Sequence, residues 1–255
     1  MTPGVFYGIG VGPGDPELMT VKGAALLARC PNVFVPKARI ASESVALGIA
    51  RRYVSAGAAI HELVFPMTDN EDELSARWRE SAVRVAEALR AGQDACFLTL
   101  GDPLLYSTYI YLVRALRAEL PALNAVTVPG ITSFCAAAAL TGFTLGEGKE
   151  PLTIVPAADD LTAVRDALRR GGTVVLMKIG ERLADVLRLL REENLLEHAV
   201  LVARAGQAGQ RVETDLRTLR TDDSKAGYLS VVLVHGRGAK QEGRGSGVEG
   251  KRGKE

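Results

Sequence analysis

Most of the side chains that could do chemistry lie in three loops rich in glycine and proline, each directly after a short apolar run. The loops read GIGVGPGD from Gly8 to Asp15, TLGDPLLY from Thr99 to Tyr106, and VPGITS from Val128 to Ser133. Glycines lack side chains and so let a ligand approach backbone N–H groups closely. Because ligands bind at the carboxyl ends of strands in parallel α/β sheets, these loops predict one binding site at a sheet edge.

The first loop differs from a dinucleotide-binding turn. In that turn the third glycine of G-x-G-x-x-G opens a helix, whereas here Pro13 and Pro16 stiffen a loop and a helix is predicted only from about Thr20. A tight turn that binds nothing is the alternative interpretation of this loop. Asp15 would then make a local turn hydrogen bond, and Thr20 is a candidate helix N-cap.

The second loop places an acid, Asp102, between Gly101, which permits close approach, and Pro103, which fixes the loop. Three roles stay open for Asp102: a helix cap, a carboxylate that orients a ligand or accepts a proton, and an electrostatic partner of a cationic ligand. In the third loop, Thr132 and Ser133 either cap a helix or bind a ligand. No histidine lies close in sequence to activate Ser133, and the G-x-S-x-G elbow of serine hydrolases is absent.

The histidines and cysteines do not form a recognisable metal-binding motif. There is no H-x-x-x-H pair among His61, His198 and His235, and no C-x-x-C among Cys30, Cys96 and Cys135. An odd number of distant cysteines also argues against a disulfide framework and favours a reducing compartment. Since no apolar run reaches 18 residues and the N-terminus lacks a basic stretch before an apolar core, we expect a cytoplasmic protein.

Composition and charge indicate a globular chain with a basic tail. The 255 residues are 47% hydrophobic and 24% charged, with a net charge of +1. Residues 237–255 hold six basic and three acidic residues, which leaves −2 for the preceding body. That body gives no electrostatic reason to expect nucleic-acid or membrane binding. The tail is rich in glycine and has almost nothing apolar, so we predict that it is disordered.

The order of apolar patterns predicts two α/β domains. Short β-branched runs alternate with helical patterns through the first half, which predicts a mostly parallel sheet covered on both faces. A glycine cluster marks the predicted boundary between a first domain, residues 1–142, and a second, residues 151–236. In the second domain, Ala199–Arg204, Gln210–Leu216 and Tyr228–His235 follow one another without a long helix, so antiparallel pairing and a mixed sheet are predicted.

Taken in order, these segments resemble the tetrapyrrole methylase family. The resemblance spans residues 4 to about 236 and rests on GIGVGPGDPELMT, TLGDPLLYST, VPGITS, VVLMK, ARAGQAGQRV and YLSVVLV. It implies an S-adenosyl-L-methionine-dependent methyltransferase with two α/β domains around a ligand cleft, assembled as a homodimer and without a protein-bound metal. Carried over by motif, the cofactor contacts would be Pro13, Leu100, Gly101, Asp102, Thr132, Ser133, Met177 and Ala205.

Within the family, FPMTDNEDELSARW and FLTLGDPLLYSTYIYL are most similar to the branch that methylates the C20 meso carbon of precorrin-2 or cobalt-factor II in cobalamin biosynthesis. Leu100 stands where the uroporphyrinogen branch carries the first glycine of a GGDP-type loop. The implied tetrapyrrole substrate is rich in carboxylates, so basic side chains should bind it. The substrate candidates are Gly12, Tyr106, Lys37, Arg39 and Lys178, and Asp102 is the candidate catalytic residue.

Several alternatives stay open. Another enzyme of the same family, acting on uroporphyrinogen or a later precorrin, would carry similar motifs. A ribosomal RNA ribose methylase would need a basic face, which the acidic body does not supply. A nicotinamide-dependent oxidoreductase would need an acidic residue at the end of the second strand, where Pro36 and Lys37 stand. A tetrapyrrole carrier that transfers no methyl group fits the same residues.

Overall fold

The computed structural model describes residues 2–37, 43–65, 68, 70–157, 160–219 and 227–236. The expectations for Arg39 and for the tail after residue 236 therefore concern positions outside the described ranges. In the first half the elements are β1 (Phe6–Gly10), α1 (Val21–Leu27), β2 (Asn32–Lys37), α2 (Val45–Ala50), β3 (Ala59–Val64), α3 (Glu71–Arg90), β4 (Ala95–Thr99), α4 (Tyr109–Glu119), β5 (Ala125–Val128) and α5 (Ser133–Thr141). In the second half they are β6 (Leu152–Pro156), α6 (Thr162–Arg170), β7 (Thr173–Met177), α7 (Leu183–Glu192), β8 (Ala199–Ala203), β9 (Arg211–Glu213) and β10 (Ser230–His235).

The first sheet has five strands in the order β3-β2-β4-β1-β5, and every pair is parallel. Successive residues of β4 point to opposite faces, so Cys96 and Leu98 pack with α1 and α2 while Ala95 and Phe97 pack with α3 and α4. Both faces are therefore buried, which explains why the strands read as continuous apolar runs. The predicted parallel sheet with helices on both faces is confirmed.

The second sheet is mixed, in the order β6-β7-β10-β8-β9. The pair β6–β7 is parallel, whereas β10 runs antiparallel to both β7 and β8, and β9 runs antiparallel to β8. This confirms the predicted mixed sheet. The segment Gln210–Leu216 forms a shorter strand than predicted, since β9 covers only Arg211–Glu213.

Helix α5 packs on the second sheet rather than the first. Phe134, Ala136 and Ala137 form one apolar cluster with Val175, Val200, Val202, Val231 and Leu233, while α6 and α7 cover the opposite face of the same sheet. The small alanine side chains let the helix lie close to the strands. A helix from the first half of the chain thus supplies one layer of the second, which joins the two halves through a shared core.

Side-chain caps fix the starts of α1 and α3. The Asn70 side chain accepts hydrogen bonds from the N–H groups of Asp72 and Glu73, both at 3.1 Å, and three acids in the first turn of α3 complement its dipole. Thr20 caps α1 by accepting from Gly23 N–H at 3.1 Å, as predicted. None of the helices in the described ranges is long and apolar enough to cross a bilayer.

Candidate functional site

The three glycine-containing loops meet at the carboxyl edge of the first sheet. The backbone N–H of Gly101 donates to Gly12 O at 2.8 Å, and Val11 N–H donates to Thr99 O at 2.9 Å. A Cβ atom on Gly130 would lie 2.1 Å from Gly101 O, a distance that real Cβ atoms do not tolerate. The loops are therefore packed backbone to backbone, as the shared strand-end position predicts.

Two glycines of the first loop are required by contacts within the protein. A Cβ on Gly8 would lie 2.2 Å from the Tyr109 ring, and a Cβ on Gly14 would lie 2.2 Å from Ala205 O. The space beside these glycines is filled by the protein itself. Moreover, the loop leads into a single 3₁₀ turn, Pro16–Leu18, and α1 begins only at Val21. The loop therefore does not open an α-helix, and the nicotinamide alternative loses its phosphate-binding turn.

Asp102 ties two of the loops together. Its Oδ1 accepts a hydrogen bond from Leu104 N–H at 2.8 Å, and its Oδ2 accepts one from Gly130 N–H at 3.1 Å. The helix-cap role is wrong, because α4 begins at Tyr109 and its N-cap residue is Thr108. Asp15 makes only the local turn bond that was expected, from Glu17 N–H at 2.8 Å.

The start of α5 offers polar groups at the same edge. Thr132 occupies the N-cap position, but no side chain caps the first turn of the helix. The Thr132 hydroxyl donates instead to Cys135 Sγ at 3.1 Å, and both Thr132 and Ser133 are half-buried. The first N–H groups of the helix and two hydroxyls are thus placed where a polar ligand could use them.

The second half approaches the first through the loop after β8. Gln207 Nε2 donates to Pro13 O at 2.9 Å, and Ala205 is buried beside Gly14. Ala205 and the half-buried Met177 belong to the apolar cluster that also contains α5. The fold therefore brings together the candidate cofactor residues of the two halves, at the edges where β4, β5, β7 and β8 end.

The two candidate lysines differ in their surroundings. Lys37, at the end of β2, forms an ion pair with Glu62 at 2.9 Å, and its side chain is only 9% exposed. Lys178 directly follows β7 in a left-handed backbone conformation, with φ of 56°. The residue as a whole is exposed, yet surrounding protein removes enough water to lower the pKa of its ammonium group.

Tyr106 and Lys178 line one cavity between the two halves of the chain. Its volume is about 610 Å³, within the range of about 300–1,000 Å³ usual for small-molecule sites. The lining residues are Leu104, Leu105, Tyr106, Ser107, Thr108, Ile110, Tyr111 and Lys178. Lys37 and Gly12 are not among them. Sequence reasoning missed Tyr111, because the YIY segment does not tell which tyrosine faces the core and which the cavity.

The remaining thiols and imidazoles do not form a centre of their own. Cys30 and Cys96 are buried and Cys135 is exposed, all three as free cysteines. Within the described ranges, no group of three His, Cys, Asp or Glu side chains is placed to hold a metal ion.

The candidate cofactor residues fit S-adenosyl-L-methionine in their chemistry. Leu100, Met177 and Ala205 offer apolar, buried or half-buried surface of the kind that flanks a purine, whereas Thr132 and Ser133 offer hydroxyls for a ribose or a carboxylate. Apolar walls with a few convergent polar groups are what a cofactor of this type requires.

Comparison with known proteins assigns the class. Residues 5–220 match the family described as Tetrapyrrole (Corrin/Porphyrin) Methylases. This chain belongs to that family.

Two relatives match almost end to end. The chain is 32% identical over 232 residues to the cobalt-precorrin-2 C(20)-methyltransferase of Salmonella typhimurium, covering 91% of this chain and 96% of the relative. It is 30% identical over 241 residues to the precorrin-2 C(20)-methyltransferase of a Sinorhizobium species, again covering 91% and 96%.

Solved structures share the fold. A cobalt precorrin-4 methyltransferase superposes with a TM-score of 0.70 at 22% identity, covering 90% of this chain and 94% of the other. A uroporphyrin-III C-methyltransferase from Thermus thermophilus, solved with S-adenosylhomocysteine, superposes with a TM-score of 0.60 at 23% identity, covering 91% and 97%.

Proposed function

We propose that this chain transfers a methyl group from S-adenosyl-L-methionine to the C20 meso carbon of precorrin-2 or of its cobalt form, in cobalamin biosynthesis. The observation that carries the proposal is the match to two C20-methyltransferases over 91% of this chain and 96% of each relative. The cobalt of the second substrate arrives with the macrocycle, so the protein needs no metal ligands of its own for it.

The proposed cofactor site lies where the loops of the two halves meet. Leu100, Met177 and Ala205 would flank the adenine and sugar, and Thr132 and Ser133 would hydrogen-bond the polar groups. Pro13, Gly101 and Asp102 would form the wall on the side of the first sheet. When bound, S-adenosyl-L-methionine supplies an electrophilic methyl group on a sulfonium.

The protein's own contribution to this chemistry is mainly positioning. The meso carbon of the substrate is electron-rich, so the enzyme must hold carbon, methyl and sulfur in line and exclude water. Fixing two substrates in this way is the largest rate contribution available to such a transfer. The hydrogen bonds of Asp102 to Leu104 and Gly130 support a role in orienting these loops around the ligands.

The substrate would lie in the cavity that Tyr106 and Lys178 line, and Gly12 and Lys37 would contact parts of it outside this lining. Lys178 offers a cation for the peripheral carboxylates. Lys37 is already paired with Glu62 at 2.9 Å. It would therefore contribute to the electrostatic potential of the site more than through a direct ion pair with the substrate.

We further propose that the enzyme acts as a homodimer in the cytoplasm. Three free cysteines are compatible with a reducing compartment. Light scattering of the purified protein would give twice the chain mass of 27.1 kDa for a dimer, and a single chain mass would contradict the dimer.

A paired assay tests the proposed function. The protein is incubated with labelled S-adenosyl-L-methionine and either precorrin-2 or cobalt-factor II, with uroporphyrinogen III as a third substrate. We expect label in the product of one of the first two and none in the third. Labelling of uroporphyrinogen III alone would assign the chain to another branch of its family.

A further inference from the structure

A line of three stacked aromatic rings leads from the core of the first half to the cavity. Phe65 and Trp78 stack with ring centroids 4.2 Å apart, and Trp78 and Tyr111 stack at 5.3 Å, each pair with planes 24° apart. Phe65 is buried, Trp78 is half-buried, and Tyr111 is 52% exposed. Packing against Trp78 thus holds the Tyr111 ring while leaving surface of that residue open to solvent.

The wall that Tyr111 contributes is apolar and aromatic. Beside it, Leu104, Leu105, Tyr106 and Ile110 line the cavity, and Leu104 is 63% exposed. Large apolar side chains left open to water cost free energy unless something covers them. Two tyrosines and three aliphatic side chains around about 610 Å³ suit a flat, conjugated ligand, since aromatic rings stack with such systems.

One charged residue completes the lining. Lys178 comes from the second half of the chain, while the other seven lining residues come from the segment between positions 104 and 111. No carboxylate belongs to the lining among the described residues. An ammonium on an otherwise uncharged wall favours an anionic ligand group, and the partly desolvated surroundings strengthen the attraction.

Two of the five non-glycine residues with positive φ in the described ranges line this cavity. Tyr106 and Lys178 both have positive φ values, 50° and 56°, which residues other than glycine rarely adopt. Such conformations are unfavourable and persist where the surrounding structure fixes them, often at ligand sites. The two strained residues belong to different halves of the chain and meet at one cavity.

We propose that Tyr111 is a stacking platform for one face of the tetrapyrrole and that Lys178 binds a peripheral carboxylate of the same molecule. The inference rests on the proposed function and deepens it, because it names the residues that select a flat, polycarboxylated substrate. Selection requires both features: a flat apolar ligand without carboxylates would leave Lys178 unpaired, and a small anion would leave Tyr111 uncovered.

The protein carries its own probe for this site. Trp78 is the only tryptophan of the chain and stacks directly on Tyr111. A tetrapyrrole bound against Tyr111 will quench the Trp78 emission, so titrations with precorrin-2 and with cobalt-factor II give dissociation constants without any methyl transfer. Each variant is normalised to its own emission before ligand is added.

Four variants separate the two contacts from general damage. We expect Tyr111→Ala to raise the dissociation constant about tenfold or more and Tyr111→Phe to leave it within about twofold, because phenylalanine keeps the ring. Lys178→Met should raise it about tenfold. Lys149→Met, at an exposed lysine outside the cavity lining, is the matched control and should bind as the wild type does.

The outcomes distinguish this inference from the proposed function. If wild-type protein binds the tetrapyrrole and transfers methyl groups but Tyr111→Ala and Lys178→Met bind equally well, the two proposed contacts are rejected and the proposed function is kept. If the variants weaken binding as expected but the wild type transfers no methyl group, the proposed function is rejected and the two contacts are kept. Absence of binding of both precorrin-2 and cobalt-factor II to wild-type protein, or equal losses of tetrapyrrole and S-adenosylhomocysteine affinity in Tyr111→Ala, would overturn the inference.

Discussion

The carboxylate of Asp102 accepts a hydrogen bond from the backbone N–H of Gly130 at 3.1 Å, while its other oxygen accepts one from Leu104 N–H at 2.8 Å. One side chain thereby links the loop after β4 to the loop after β5. A carboxylate has two acceptor oxygens, whereas the amide of asparagine has one acceptor and one donor. The arrangement therefore demands an acid at this position.

Replacing Asp102 tests this demand. In Asp102→Asn the amide NH₂ must face one of the two N–H donors, so we expect the free energy of unfolding to fall by about 1–3 kcal/mol. S-adenosylhomocysteine affinity should fall with it, since the loops at the proposed site loosen. Thermal unfolding and calorimetry measure the two effects.

Asp15→Asn is the matched control for that substitution. Asp15 accepts one local hydrogen bond, from Glu17 N–H at 2.8 Å, and the single acceptor oxygen of asparagine can replace it. Its stability should stay within about 0.5 kcal/mol of wild type. Wild-type stability in Asp102→Asn would contradict the linking role.

Gly14 offers a test of the contact between the two halves. A Cβ atom there would lie 2.2 Å from Ala205 O, so Gly14→Ala must push the loop after β8 away and weaken the bond from Gln207 to Pro13. We expect a loss of about 1–3 kcal/mol in unfolding free energy and weaker S-adenosylhomocysteine binding. Gly57→Ala has nothing within 4 Å of the new atom and should be neutral. Equal stability of the two variants would refute the account of this contact.

His235 makes stability depend on pH. Its ring stacks on Phe143 with centroids 4.0 Å apart. Burial lowers the pKa of His235, Glu150 offsets part of the effect, and His198 adds to it. The unfolded chain therefore takes up a proton at higher pH, near about 6.5, than the folded protein does.

Stability should consequently fall as the pH drops through about 6.5 towards the folded pKa. His235→Phe removes this proton uptake, so its unfolding midpoint should fall less between neutral and mildly acidic pH. Part of the pH dependence should remain, because burial also lowers the pKa of His61. Identical pH profiles for His235→Phe and wild type would rule out the contribution of His235.

The basic, glycine-rich tail is predicted to be dispensable. A variant that ends at Gly236 should keep the unfolding temperature and the methyl transfer rate, because residues 237–255 offer almost no apolar area to bury. Lost methyl transfer at unchanged S-adenosyl-L-methionine affinity would instead point to a tail that binds substrate.

The fold was predictable where periodicity is local. The short apolar runs Ala125–Val128 and Thr173–Met177 predict two strands, and β5 and β7 begin and end at these residues. The antiparallel pairing around β10 followed from the lack of room for a crossover helix. The position of α5 on the second sheet did not follow, since an alanine-rich helix has no apolar stripe that selects a partner.

The meeting of the three strand-end loops was predictable from the sequence, whereas their individual contacts were not. Gly8 is required by the Tyr109 ring, and Gly14 is required by Ala205 O. The bond from Gln207 to Pro13 joins residues 194 positions apart. Such contacts depend on how two separately patterned halves pack, which no local spacing encodes. Tyr111 was missed for the same reason.

Locating the transferred methyl group tests the proposed C20 methylation. The protein is supplied with S-adenosyl-L-methionine carrying a ¹³C methyl group and with precorrin-2 or cobalt-factor II under anaerobic conditions, and the product is examined by NMR. We expect one new ¹³C methyl signal, on the C20 meso carbon. A methyl group at any other carbon, or no transfer by a folded protein that binds S-adenosylhomocysteine, would rule out the proposed function.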